Sequence, residues 1–88
     1  MKASRYVPIF EALGQEARFN LFELIYQSGS KGVRPKQMIE KFGYDAGTLS
    51  FHLKKLFASE LVVFKVDGRR VIYYVNESTP KVLVELFK

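Results

Sequence analysis

The sequence has no cysteine, no tryptophan and a single histidine among its 88 residues. The missing cysteines exclude disulfides, thiolate switches and cysteine-bound metal, and nothing in the composition points to secretion. The lone His52 cannot assemble a metal site by itself, because zinc or nickel draws on several His, Cys or carboxylate ligands. No apolar run approaches the roughly 20 residues that cross a bilayer. The N-terminus also lacks the long apolar core of a secretory signal. Repeats and low-complexity tracts are absent, as are a Gly-rich phosphate loop, a carboxylate constellation and a nucleophile–base pair. Ser50 and His52 are two apart, so on a helix they point to different sides. An enzyme is therefore not expected, and no cofactor is implied.

The chain is 48% hydrophobic and 26% charged, which suits one small domain, residues 1–88, with a modest core. Five Tyr and eight Phe are many for this length, and some are expected to meet a partner. The net charge of +5 is unevenly spread. Residues 1–30 balance Lys2, Arg5 and Arg18 against Glu11, Glu16 and Glu23, and residues 71–88 balance Lys81 and Lys88 against Glu77 and Glu85. The excess lies between them: Lys31, Arg34, Lys36, Lys41, Lys54, Lys55, Lys65, Arg69 and Arg70 stand against Glu40, Asp45, Glu60 and Asp67. So concentrated a basic stretch is the expected footprint of a phosphate-bearing partner. A solvated basic face is the plainer alternative.

The same stretch carries the strongest structural signals. Gly43 suits the end of one helix, and Asp45 is a good N-cap for the next. Tyr44 and Leu49 have the spacing of a hydrophobic staple. Leu49, Leu53 and Leu56 then mark a buried stripe, with Gly47, Phe51, Lys54 and Ala58 on the opposite face beside Thr48, Ser50 and Lys55. His52 lies at the edge of the stripe and reads as a partly buried structural residue rather than a ligand. Two β-rich runs, 62–66 and 69–75, flank Asp67-Gly68, which predicts a hairpin with a two-residue type I′ turn. That turn would pair Val66 with Arg69, Lys65 with Arg70, Phe64 with Val71 and Val62 with Tyr73. Lys65 and Arg70 would then face each other, an unfavourable pairing that a polyanion alongside would relieve.

The flanks supply the remaining elements. Tyr6, Ile9, Phe10 and Leu13 form an apolar stripe on a first helix, with Pro8 in its first turn and Gly14 as its end. A second helix spans roughly 16–27, with Leu21, Phe22 and Ile25 inward and Phe19 and Tyr26 beside them. Residues 28–32 read as a turn, and Val33-Arg34 as a short strand, since Pro35 forces Arg34 toward extended geometry. Pro35 suits the first position of a third helix with Met38, Ile39 and Phe42 inward. Thr79 and Pro80 read as N-cap and first residue of a last helix through Leu86 or Phe87. The expected fold is mainly α with a small β-hairpin wing: two helices, a short strand, a helix-turn-helix, the hairpin and a final helix.

In order and spacing the chain resembles the arsenic-repressor-like (ArsR/SmtB) family of winged-helix repressors. The resemblance rests on ALGQEARFNLFELI at 12–25, TLSFHLKKLFASELV at 48–62 and DGRRVIYYV at 67–75, and covers about residues 9–76. The sequence departs from the family at three places. Phe51 stands between the serine and the histidine, where a polar residue is usual; Ala46 replaces a common polar side chain; and Glu60-Leu61 replaces glycine-leucine. Phe51 is open to two readings, contact with a thymine methyl or a ring that folds back or is merely exposed. The family's metal-site residues are missing, and the sequence names no effector.

The resemblance implies a cytoplasmic, nucleoid-associated transcriptional regulator that binds double-stranded DNA, a repressor acting as a homodimer on an inverted-repeat operator. The helix over 46–58 would enter the major groove, and the hairpin over 62–75 would act as wing. The expected DNA-contacting residues are Lys36, Ala46, Gly47, Thr48, Ser50, Phe51, Lys54, Lys55, Lys65, Arg69 and Arg70. The expected dimer interface comprises Tyr6, Ile9, Phe10 and Leu13 with Val82, Leu83, Leu86 and Phe87, two stripes more apolar than one small domain readily hides. A winged helix serving as a protein-interaction module is the alternative.

Overall fold

The computed structural model describes residues 7–79. Four helices precede a hairpin: α1 (Val7–Leu13), α2 (Glu16–Ser28), α3 (Pro35–Phe42) and α4 (Ala46–Ala58), then β1 (Val62–Asp67) and β2 (Arg70–Val75). A 3-10 turn, Gly29–Lys31, follows α2. The expected final helix, and with it Tyr6, Val82, Leu83, Leu86 and Phe87, lies outside the described residues.

The core forms where the helical stripes converge. Leu21, Phe22 and Ile25 of α2 are fully buried, as are Met38 of α3 and Leu56 of α4. Leu49 and Leu53 complete the α4 stripe, and Leu61 and Val62 bring the base of the hairpin into the same cluster. Each such aliphatic side chain contributes about 1.5–3 kcal/mol by leaving water. Ile9 and Ala12 of α1 join this core. Ile9 is therefore already buried within its own chain, whereas Phe10 remains 57% exposed.

A buried arginine joins α1 to α2. Arg18 Nε donates to Ala12 O at 2.7 Å, and Nη2 donates to Glu11 O at 3.3 Å. Those carbonyls belong to the last turn of α1, where no helical amide reaches them, and a cation there also complements the helix dipole. Arg18 was legible in the sequence only as one charge among others.

The helix-turn-helix follows the expected punctuation. Arg34 is extended (φ −96°, ψ 152°) ahead of Pro35, and the Arg34 amide donates to Gln37 Oε1 at 2.9 Å. Asp45 stands at the N-cap of α4 with extended backbone. The C-terminus of α4 is closed by a Schellman motif, in which Leu61 N donates to Leu56 O and Glu60 N to Phe57 O. The motif demands a left-handed residue, and here it is Glu60, at φ 63°. This is the position where the sequence departs from glycine.

The hairpin corrects the expected register. Val62 pairs with Val75, Phe64 with Tyr73, Lys65 with Ile72, Val66 with Val71 and Asp67 with Arg70. The two turn residues are Gly68 and Arg69, and only Gly68 has positive φ, at 64°. That excludes type I′, which needs positive φ at both positions, and fits the Gly-first pattern of type II′. Lys65 is thus not opposite Arg70. The observed register sets Asp67 there instead, a favourable pairing.

Of the expected short strand, Val33 alone pairs, in an isolated bridge to Tyr73. Val33 N donates to Tyr73 O at 2.9 Å, and Tyr73 N to Val33 O at 2.8 Å. Beside it, Gly32 has φ 69° and ψ −178°, a region essentially reserved for glycine. A Cβ on Gly32 would lie 2.5 Å from Ile72 Cγ2, 2.6 Å from Tyr74 Cε1 and 2.9 Å from Tyr73 O. Two substitutions at positive φ should therefore act oppositely in urea unfolding. Gly32→Ala is expected to destabilise by about 3 kcal/mol through strain and overpacking. Glu60→Gly is expected to stabilise by up to about 1 kcal/mol, the relief of the left-handed strain less the chain entropy of glycine.

Candidate nucleic-acid interface

α4 divides its residues cleanly between core and solvent. Leu49, His52, Leu53 and Leu56 are buried. Ala46, Gly47, Thr48, Ser50, Phe51, Lys54 and Lys55 are all exposed, so every α4 residue expected to meet DNA is accessible. Small residues occupy the first turn and lysines lie further along. The Asp45 carboxyl is held below its ordinary value, chiefly by the Thr48 hydroxyl. It nevertheless closes no full cap hydrogen bond to the helix.

The remaining expected contacts divide between two clefts. Arg34, Pro35 and Lys36 at the start of α3 face Arg69, Arg70 and Val71 of the wing across a cleft of about 250 Å³. This brings Lys36, Arg69 and Arg70 together and adds Arg34, part of the basic stretch in the sequence but not among the expected DNA contacts. Lys65 sits elsewhere. It lines a wider cleft with Gly29, Ser30, Tyr74 and Glu77, and its Nζ lies 5.3 Å from the Tyr74 ring centre.

Apolar side chains remain exposed around these features. Phe51 is 53% exposed, and its ring meets His52 edge-on at 5.4 Å. Lys55 Nζ stands 5.4 Å from the centre of the same ring. Phe57 packs on Phe64 at 5.3 Å, and Phe64 on Tyr73 at 5.6 Å, while Val66 near the wing tip is open to solvent.

No family model matches the sequence, and no curated protein matches it significantly. Solved structures do match. HlyU from Vibrio cholerae superposes with a TM-score of 0.85 at 19% identity, over 98% of this chain and 92% of that one. NolR from Sinorhizobium fredii gives 0.80 at 22% identity, over 97% and 80%. Mb0332 from Mycobacterium bovis gives 0.77 at 20% identity, over 96% of this chain and 72% of that chain. That last structure is described as a homodimeric winged helix-turn-helix DNA-binding domain of a possible ArsR-family transcriptional regulator. The fold is a winged helix-turn-helix. At these identities the likeness is one of fold, with α3 and α4 as the helix-turn-helix and β1–β2 as the wing.

Among the described residues, no group of three His, Cys, Asp or Glu side chains could hold a metal ion. No described helix is long and apolar enough to cross a membrane. His52 is buried, and its Nδ1 has no hydrogen-bond partner among the described residues. Burial first, and the charge of Arg18 second, lower its pKa from the ordinary 6.5. Below 6.5 the unfolded chain therefore takes up a proton that the folded chain resists. Stability should fall as pH drops from 6.5 through the folded-state pKa, and the loss should level off beneath it. Urea unfolding between pH 7.5 and pH 4.5 checks this: the decline attributable to His52 should vanish in His52→Gln.

Proposed function

We propose that the chain is a DNA-binding transcriptional regulator of the ArsR-like kind, a repressor that recognises an inverted-repeat operator as a homodimer. The observation that carries the reading is the union of an exposed α4 face with a basic cleft between α3 and the wing. A helix of this width fits the major groove, and four cations across one cleft suit a phosphate backbone. Thr48 and Ser50 read base edges, Ala46 and Gly47 let the helix approach closely, and Lys54 and Lys55 reach phosphates. Lys36, Arg34, Arg69 and Arg70 hold the flanking backbone, with Lys65 further from the turn on the same face of the hairpin as Arg70. A cytoplasmic, nucleoid-associated location follows from that partner.

The dimer is part of the same proposal. Val7 and Phe10 of α1 are large and exposed, and the sequence adds Tyr6, Leu13, Val82, Leu83, Leu86 and Phe87 as apolar candidates for a contact between two copies. Pairing across a two-fold axis sets two recognition helices about 34 Å apart, one turn of duplex. The second reading is a protein-interaction module, favoured by the exposed Phe57, Phe64 and Val66.

Salt titration of duplex binding separates the two readings, because phosphate contacts make affinity fall steeply with salt. Arg69→Ala and Arg70→Ala should weaken binding to all sequences, each lowering the salt slope by up to about one unit. Thr48→Ala or Ser50→Ala should change sequence preference instead, at roughly 1–3 kcal/mol for a good base contact. Unaltered affinity and slope in the double arginine variant would remove the wing from DNA.

A further inference from the structure

Residues 46–58 include no Arg, Asn, Gln, Asp or Glu. Those are the side chains whose forked, amide or carboxylate ends pair most selectively with base edges in the major groove. The exposed residues of α4 offer instead two hydroxyls, two lysines and two rings, Phe51 in the N-terminal half and Phe57 at the C-terminal end, where it packs on Phe64 of the wing. An isolated exposed phenylalanine is ordinary on a protein surface. Its place here is what matters.

A helical side chain leans over the turn N-terminal to its own Cα. For Phe51 that turn carries Gly47 and Thr48, two small residues. A Cβ on Gly47 would meet only Asp45 Oδ2, at 3.4 Å. The ring is nonetheless held from behind, because its edge contact, His52, is itself buried in the core. Lys55 Nζ steadies it from the next turn. The half of α4 that leads into a groove therefore presents a fixed apolar surface.

We propose that Phe51 reads the 5-methyl group of a pyrimidine in the major groove. Thymine is then preferred at one step of each half-site, and 5-methylcytosine can take its place at that step. This rests on the DNA-binding reading above and names the base feature that α4 selects. The thymine methyl is the apolar feature of the major-groove edge, and apolar side chains discriminate it. Burying one methyl contributes about fourfold in affinity, from the transfer free energy of a single buried carbon.

The test uses the full chain and its preferred duplex. Each thymine is replaced in turn by deoxyuridine, which removes the methyl and keeps every hydrogen-bonding group. The wild type should lose about fourfold in affinity at one thymine per half-site. A 5-methylcytosine–guanine pair at that step should bind better than the unmethylated pair. Phe51→Ala should bind thymine and uracil duplexes equally with its salt slope unchanged, and Phe51→Leu should keep part of the discrimination. Because the ring lies outside the core, neither variant should lose its fold, which circular dichroism checks. Wild-type indifference to uracil at every position would overturn the proposal, as would discrimination that survives in Phe51→Ala. Either result, obtained with selective and salt-dependent binding, leaves the DNA-binding reading standing. Absence of binding to any duplex removes that reading, and this inference with it.

Discussion

The wing is joined to the helices by one antiparallel bridge, and the geometry of the basic cleft depends on it. Val33 and Tyr73 exchange both backbone hydrogen bonds, and Gly32 permits the approach because a side chain there would strike Ile72, Tyr74 and the Tyr73 carbonyl. The bridge precedes Arg34 and Pro35 directly, so the start of α3 lies beside the strand that carries Arg70. At its base the hairpin is closed by one further rung, in which Asn76 N donates to Leu61 O at 2.9 Å. A two-stranded hairpin alone is marginal in water. The bridge, with Val62 and Leu61 in the core, sets the direction of the wing relative to α4.

Two of the buried polar side chains, Arg18 and His52, are accommodated in different ways. Arg18 satisfies itself on carbonyls that α1 would otherwise leave unpaired, so its burial also stabilises a helix end. His52 Nδ1 finds no such partner among the described residues, and the side chain stays neutral more readily than a free histidine. It supports the exposed Phe51 from beneath. Packing in the core and presentation on the surface thus meet in neighbouring residues of one helix.

Most of the fold was legible because its signals are local. Pro35, Gly43 and Asp45 punctuate the helix-turn-helix, and the Leu49, Leu53 and Leu56 stripe orients α4. Asp67-Gly68 is a strong local signal for a type I′ turn, whereas register also follows which side chains the core buries, here Leu61 and Val62 at the base of the hairpin. Val62 meets Val75, and the turn falls on Gly68-Arg69. Electrostatics agree, since this register replaces a Lys65–Arg70 confrontation with Asp67 opposite Arg70. The burial of Arg18 and the grouping of Arg34 with Arg69 and Arg70 were hidden for the same reason. Both depend on which elements lie side by side, and no spacing along the chain encodes that directly.

The proposed function requires that α4 and the wing of two copies recognise duplex DNA as a two-fold pair. Selection of bound sequences from random duplex DNA by the full chain tests this most directly. The expected result is enrichment of an inverted repeat whose half-site centres lie about one helical turn apart. Recovery of no preferred sequence, with binding that is weak and indifferent to salt, would contradict it.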